Sequence, residues 1–221
     1  MTHAAAMRIG TWNLEGRWTA DHLDFMVGLD CDVWLVTEVR RDARLDDNQH
    51  HVTTDDMAPG RAWAGVLSRA PLTPLPDPHP ASALAICGGT TYCSSVLPWR
   101  GSGGADPWVG DDHAARTTHT VQSIRDRLAQ GAVWGGDFNH ALSGPEYAGS
   151  LSGRATIQEL VDDLALVAPT SGALHRIDGL LSIDHIALPT TADVIGTERH
   201  GASRLSDHDA YVVTVAQRAR A

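Results

Sequence analysis

Short apolar runs, each closing on a polar side chain, recur along the whole chain. "MRIGTWNL" (7–14), "DVWLVTEV" (32–39), "RAWAGVLSR" (61–69), "SALAICGG" (82–89) and "TYCSSVLPW" (91–99) are rich in β-branched and aromatic residues and bounded by glycine or proline. "AVWGGDFN" (132–139), "LSIDHIALP" (181–189), "ADVIGTE" (192–198) and "AYVVTVAQ" (210–217) continue the series, and a short strand is expected around His51–Thr53. Helical spacing of apolar residues interrupts it in three places. These are residues 19–29 (Leu23, Met26, Val27, with Thr19 as N-cap), 115–130 (Val121, Ile124, Leu128) and 155–166. The segment 100–112, "RGSGGADPWVGDD", is the most loop-like. Many strands with a few interposed helices and no repeat point to an α/β or α+β sandwich.

The 221 residues are 43% hydrophobic and 20% charged, enough for one domain with a real core. Residues 1–6 read as a loose leader and 7–218 as the single domain. No apolar run is long enough to cross a bilayer. The N-terminus lacks the basic and apolar regions of a signal peptide. Three cysteines without C-x-x-C spacing argue against a disulfide framework or zinc ribbon and fit a cytoplasmic protein with buried thiols. There is no lysine, which excludes a P-loop nucleotide site or a Schiff-base enzyme. A net charge of −10 weighs against nonspecific nucleic-acid binding, which depends on basic surface. No obligate protein partner is evident.

Residues able to act on a substrate sit where the apolar runs end: Asn13 and Glu15, Glu38, Asp137 and Asn139, Asp184, and Asp207 with His208. Singly, each reads as strand-end capping or turn formation, common roles of Asp and Asn. Together they form a set of carboxylates and carboxamides with one histidine. Such oxygen donors suit Mg²⁺ or Mn²⁺ better than zinc. With a histidine to stabilise charge, they suit hydrolysis of a phosphate ester.

The ordered series "TWNL", "TE", "GGDFN", "SIDHI" and "LSDH" resembles the motifs of the endonuclease/exonuclease/phosphatase (deoxyribonuclease I-like) superfamily. The resemblance implies a four-layer α/β/β/α sandwich of two mostly antiparallel sheets flanked by helices, with the site where both sheets meet at one end. It implies Glu38 as chief metal ligand with Asn13 nearby, Asp207 as a metal-side carboxylate, and Asp137 orienting or deprotonating the attacking water. Asn139 would hold the phosphate, and His208 would donate to it, oriented and kept protonated by Asp184.

One departure stands out. Where relatives carry a histidine or tyrosine on a central strand, this chain has Val96. Arg100, then His113 and His119, are the substitutes nearest in sequence, Arg100 ranking first because guanidinium binds phosphate well. His140 borders the motif and is expected to line substrate space. Trp99 and Trp108 flank the glycine-rich loop and either pin it or offer a stacking surface. Strand alternation turns His185 away from Asp184, toward packing.

The sequence therefore points to a metal-dependent phosphodiesterase, nuclease-like and cytoplasmic, acting on a phosphate-ester substrate that includes nucleic acid among its candidates. A small-molecule or lipid phosphate phosphatase is the alternative enzyme reading. Val96 motivates a third, an impaired member that binds a phosphorylated ligand or partner protein.

Overall fold

The computed structural model describes residues 6–45 and 49–216; the expected leader lies outside them, except for Ala6, which opens the first strand. One sheet contains β1 (Ala6–Asn13), β2 (Val33–Arg40), β3 (His50–Val52), β4 (Asp56–Ala58), β5 (Arg61–Ser68), β12 (Val194–His200) and β13 (Ala210–Ala216). Its order is β12-β13-β1-β2-β5-β3, with β4 also on β5. The second contains β6 (Leu72–His79), β7 (Ser82–Cys87), β8 (Thr90–Val96), β9 (Val133–Asp137), β10 (Leu166–Val167) and β11 (Asp184–Pro189). It runs β10-β11-β9-β8-β7-β6. Each sheet has one parallel pair, β1 with β2 and β8 with β9; the other pairings are antiparallel.

Three apolar interfaces stack these layers. Ile9, Leu35, Val66, Tyr92, Val133 and Ile186 fill the space between the sheets. Helix α1 (Ala20–Gly28) covers the outer face of the first sheet, burying Met26 against Trp12 and Trp34. Helices α2 (His113–Arg125) and α3 (Leu151–Asp163) cover the second, placing Val121, Ile124, Ile157 and Leu160 on Trp134 and Phe138. Each such side chain contributes about 1.5–3 kcal/mol when fully buried. The result is the expected α/β/β/α sandwich.

Local chemistry explains the details. Asp112 and Ser150 cap α2 and α3 by accepting from the amides of Ala115 and Gly153, so α3 begins before the apolar periodicity does. Thr19 occupies the N-cap of α1 without a capping bond, because its Oγ1 pairs with His22 Nδ1 at 2.8 Å. Val27 is half exposed, and the buried face of α1 runs instead through His22 and Met26. Strand β6, "LTPLPDPH", was hidden by prolines that read as turn signals; it is an edge strand, where a missing N–H leaves no ladder bond unmade. All three cysteines are buried and free. No helix among the described residues is long and apolar enough to cross a membrane.

Two glycines set the spacing of the second sheet. A Cβ on Gly135 would meet the His185 carbonyl at 2.5 Å and Leu35 at 2.7 Å. A Cβ on Gly136, at φ 124°, would strike the Ser95 carbonyl. The apolar run that ends at Asp137 is thereby pressed between its neighbouring strands and the facing sheet.

Candidate active site

Strands from both sheets deliver polar side chains to one end of the sandwich. Asp137 closes β9 and Asp184 opens β11, directly opposite in the antiparallel register. Asn13 closes β1 in the other sheet, and its Nδ2 donates to Asp137 Oδ2 at 3.0 Å and to Glu38 Oε1 at 3.2 Å. One amide group thus joins the carboxylates of two sheets. Glu38 reaches it from β2 with φ 47°, a left-handed conformation that glutamate rarely adopts. Asn139 is likewise left-handed at φ 50°, a region asparagine tolerates better. Strain of this kind costs about 1–3 kcal/mol per residue and clusters at functional positions.

The loop before β13 supplies the imidazole. His208 Nδ1 donates to Asp184 Oδ2 at 2.8 Å, and its Nε2 lies 3.9 Å from Asp137 Oδ2. Trp12 Nε1 donates to the His208 carbonyl, and Ser206 Oγ both donates to the Asn13 carbonyl and accepts from the His208 amide. The His208 loop is therefore fastened to the end of β1. Burial works against a charged ring, but the carboxylates of Asp184 and Asp137 outweigh it and raise the His208 pKa to about 10. Asp137 is pushed the other way for a carboxyl. Burial and the Asp184 charge raise it to about 7, opposed by His208, the Asn13 amide and the Asn139 N–H.

A divalent cation fits this donor set. Asp184 Oδ1 is buried without a hydrogen-bond partner, beside the Asp137 carboxylate whose pKa is raised by burial first and by the Asp184 charge second. Asp137, Asp184 and His208 present ligand atoms within 4.8 Å of one another. A protonated His208 has no lone pair to offer, so the oxygen donors of Glu38 and Asn13, beside the Asp137 carboxylate, are the better ligands for a hard cation.

Other expected residues lie elsewhere. Asp207 is exposed; its amide donates to Glu15 Oε2, and its carboxylate acts on His208 only through its charge. Asn139 donates its side-chain amide to the Leu97 carbonyl and its backbone N–H to Asp137 Oδ1, holding that carboxylate in place. Arg100 points away from the cluster, donating twice to the Gly149 carbonyl. His140 is fully buried, bonded to the Phe138 carbonyl and stacked on His113, so it lines no substrate space. His113 is itself held by Ser150 and the Pro98 carbonyl. Trp99 packs edge-on against Trp108. His185 faces inward as alternation required, spanning the His140 carbonyl and Thr170.

Two neighbours had no sequence signal. Arg61 NH1 stands 3.6 Å from Glu38 Oε2, and Tyr147 donates to the Leu181 carbonyl within the field of Asp184 and Asp137. Val96 pairs with Asp137 across β8 and β9 and is buried with Trp63, Ala81 and Trp108, so no titratable side chain occupies that position.

The architecture matches known structures over nearly the whole chain. The endonuclease domain of TRAS1, a telomere-specific non-LTR retrotransposon, superposes with a TM-score of 0.72 at 14% identity, covering 97% of this chain and 100% of that one. An endonuclease/exonuclease/phosphatase from Bacteroides vulgatus gives 0.63 at 13% identity, covering 97% and 100%. This chain has the endonuclease/exonuclease/phosphatase fold. An AP endonuclease from Archaeoglobus fulgidus shares the fold at 0.68 and 13% identity, over 94% and 98% of the two chains. No protein-family model matches the sequence, and no curated protein does. In this endonuclease/exonuclease/phosphatase fold, the motifs read from the sequence converge from both sheets on Asp137.

Proposed function

We propose that the protein is a metal-dependent phosphoesterase that hydrolyses a phosphodiester, using Mg²⁺ or Mn²⁺. The observation that carries this reading is the Asn13 amide joining Asp137 and Glu38 beside an imidazole charged by Asp184. The cited structures of the same fold include proteins named as endonucleases, which favours a nucleic-acid or nucleotide-like substrate.

A cation held by Glu38, with the Asn13 side-chain oxygen nearby, would neutralise the non-bridging oxygens of the phosphate and leave Asp137 free to act on water. Deprotonated Asp137 accepts a proton from the attacking water, whose oxygen bonds to phosphorus. His208 Nε2–H donates a hydrogen bond to the phosphoryl oxygen as negative charge develops there. The ester P–O bond breaks, and the departing oxygen takes its proton from solvent, because Val96 provides none. The protein accordingly favours diesters with good leaving groups.

A panel of bis(p-nitrophenyl) phosphate, p-nitrophenyl phosphate, plasmid and single-stranded DNA, RNA and phospholipid, assayed with Mg²⁺ or Mn²⁺, tests the proposal. Diester turnover that disappears in Asp137→Asn and His208→Ala is the expected result. Absence of turnover on every substrate, with unchanged binding of a phosphodiester in both variants, means a binding module instead.

A further inference from the structure

A cleft of about 500 Å³ opens between the β6–β7 hairpin, the loop preceding α2 and the β4–β5 region. Trp63 and His79 line it, backed by the buried ring of Trp108. Trp108 stacks on His79 at 5.7 Å and meets Trp63 edge-on at 5.2 Å, and all three are buried. His79 Nδ1 accepts from the Ala81 amide, which fixes its proton on Nε2. That Nε2–H is buried and makes no hydrogen bond of good geometry; the Pro107 carbonyl in the cleft wall is a weak acceptor for it, raising the ring's basicity slightly against burial. Burial and His119 hold the imidazole neutral by lowering its pKa to about 4, so the donor persists at physiological pH. An unused buried donor costs about 1–3 kcal/mol unless something fills its place.

Strand pairing places the cleft at the same end of the sandwich as the acidic cluster: His79 pairs with Ser82, Ser82 with Ser95, and the next residue of that strand, Val96, with Asp137. Trp63 lies across from Glu38, between the pairs Thr37–Ala64 and Val39–Ala62. Val96, packed with Trp63 and Trp108, is the strand partner of Asp137.

We propose that this cleft receives a nucleobase of the substrate, flanking the phosphate at Asp137, with His79 Nε2–H donating to a ring nitrogen or carbonyl. The inference rests on the phosphodiesterase reading above and names the group attached to the ester. Proline and tryptophan surfaces around the cleft suit a flat ring. The carboxylates of Asp55 and Asp106 at the rim are exposed, and no arginine lines the cleft. Phosphate is repelled there, whereas an exocyclic amine is attracted. Adenine, guanine and cytosine pair such an amine with an acceptor; uracil lacks the amine.

The test titrates isotope-labelled protein with adenosine, guanosine, cytidine and uridine, which have no phosphate, and follows the indole resonances of Trp63 and Trp108. Shifts confined to the cleft, with uridine binding most weakly, are expected. His79→Asn keeps an acceptor for the Ala81 amide and withdraws the donor from the Nε2 position, because the shorter amide N–H falls back near the former Cδ2, so nucleoside Kd rises about tenfold, the worth of one hydrogen bond. Asp55→Asn with Asp106→Asn, both at exposed positions, erases the preference over uridine. In turnover, His79→Asn raises KM for a dinucleotide about tenfold and leaves that for bis(p-nitrophenyl) phosphate unchanged. Turnover of bis(p-nitrophenyl) phosphate without cleft shifts from any nucleoside, or with His79→Asn and the double variant binding nucleosides as wild type does, overturns the base site alone. Cleft shifts without turnover of any diester overturn the phosphodiesterase reading and retain the base site.

Discussion

Asp137 and Asp184 face each other across adjacent antiparallel strands, and the imidazole of His208 contacts both, at 3.9 and 2.8 Å. Two carboxylates so close cannot both ionise freely. Burial first, and the Asp184 charge second, raise the Asp137 pKa, while His208 is held charged by both carboxylates.

Stability follows from these two shifts. His208 is raised in the folded state, so its contribution is fully present below its unfolded pKa near 6.5 and is lost as pH climbs toward about 10. Asp137 is also raised, so its contribution is present below about 4 and lost by about pH 7. Both terms make the metal-free protein less stable from pH 5 to pH 10. His208→Gln removes one of them and flattens the decline above pH 6.5, as thermal melts across pH will reveal. An equally steep alkaline decline in that variant refutes the assignment.

Divalent cations act on the same charge. Saturating Mg²⁺ is expected to raise Tm more at pH 8 than at pH 5, because ionised Asp137 then adds its negative charge beside the cation held by Glu38. Glu38→Gln lowers that rise, and chelation abolishes turnover. A Tm gain independent of both pH and Glu38 places the cation elsewhere.

Asn13→Ala separates the two carboxylates that its amide joins. Turnover falls about a hundredfold or more, comparable to losing one preorganised donor. Because Asn13 is buried at a strand end, the melting change is expected to stay within a few degrees in circular dichroism. Near-normal kcat in this variant means the bridge is structural only.

Gly136→Ala is expected to fail as a folding variant. The new Cβ meets the Ser95 carbonyl at a backbone angle L residues avoid, costing about 3 kcal/mol or more. Expression with wild-type Tm contradicts the close strand spacing.

Val96→His puts an imidazole among Trp63, Ala81 and Trp108, so it costs stability by about 1–3 kcal/mol. Turnover of diesters with poor leaving groups does not improve, since the buried ring faces apolar neighbours. Faster cleavage of unactivated diesters in this variant shows the ring reaching the site.

The sandwich was legible because the apolar runs and helical stripes are long and strongly patterned. Strand β6 was not, since proline reports both turns and sheet edges, and only the neighbours tell which. Asn13, Glu38, Asp137, Asp184 and His208 were legible as candidates because the ordered motif series that carries the family resemblance spans them; singly, polar residues at or near strand ends say little. Arg100 and His140 misled because nearness in sequence says nothing of direction. The backbone turns His140 inward beneath Phe138, and Gly149 captures Arg100. Arg61 and His79 left no trace in the sequence, because their significance depends on contacts across strands.

The pairing of β1 with β13 has a temporal consequence. Asn13 emerges early in synthesis, whereas His208 and the strand that seats its loop emerge some two hundred residues later. A nascent chain therefore holds its acidic residues without the imidazole that charges the pocket. Under the proposed function, a chain in which β13 has not yet paired with β1 is inert.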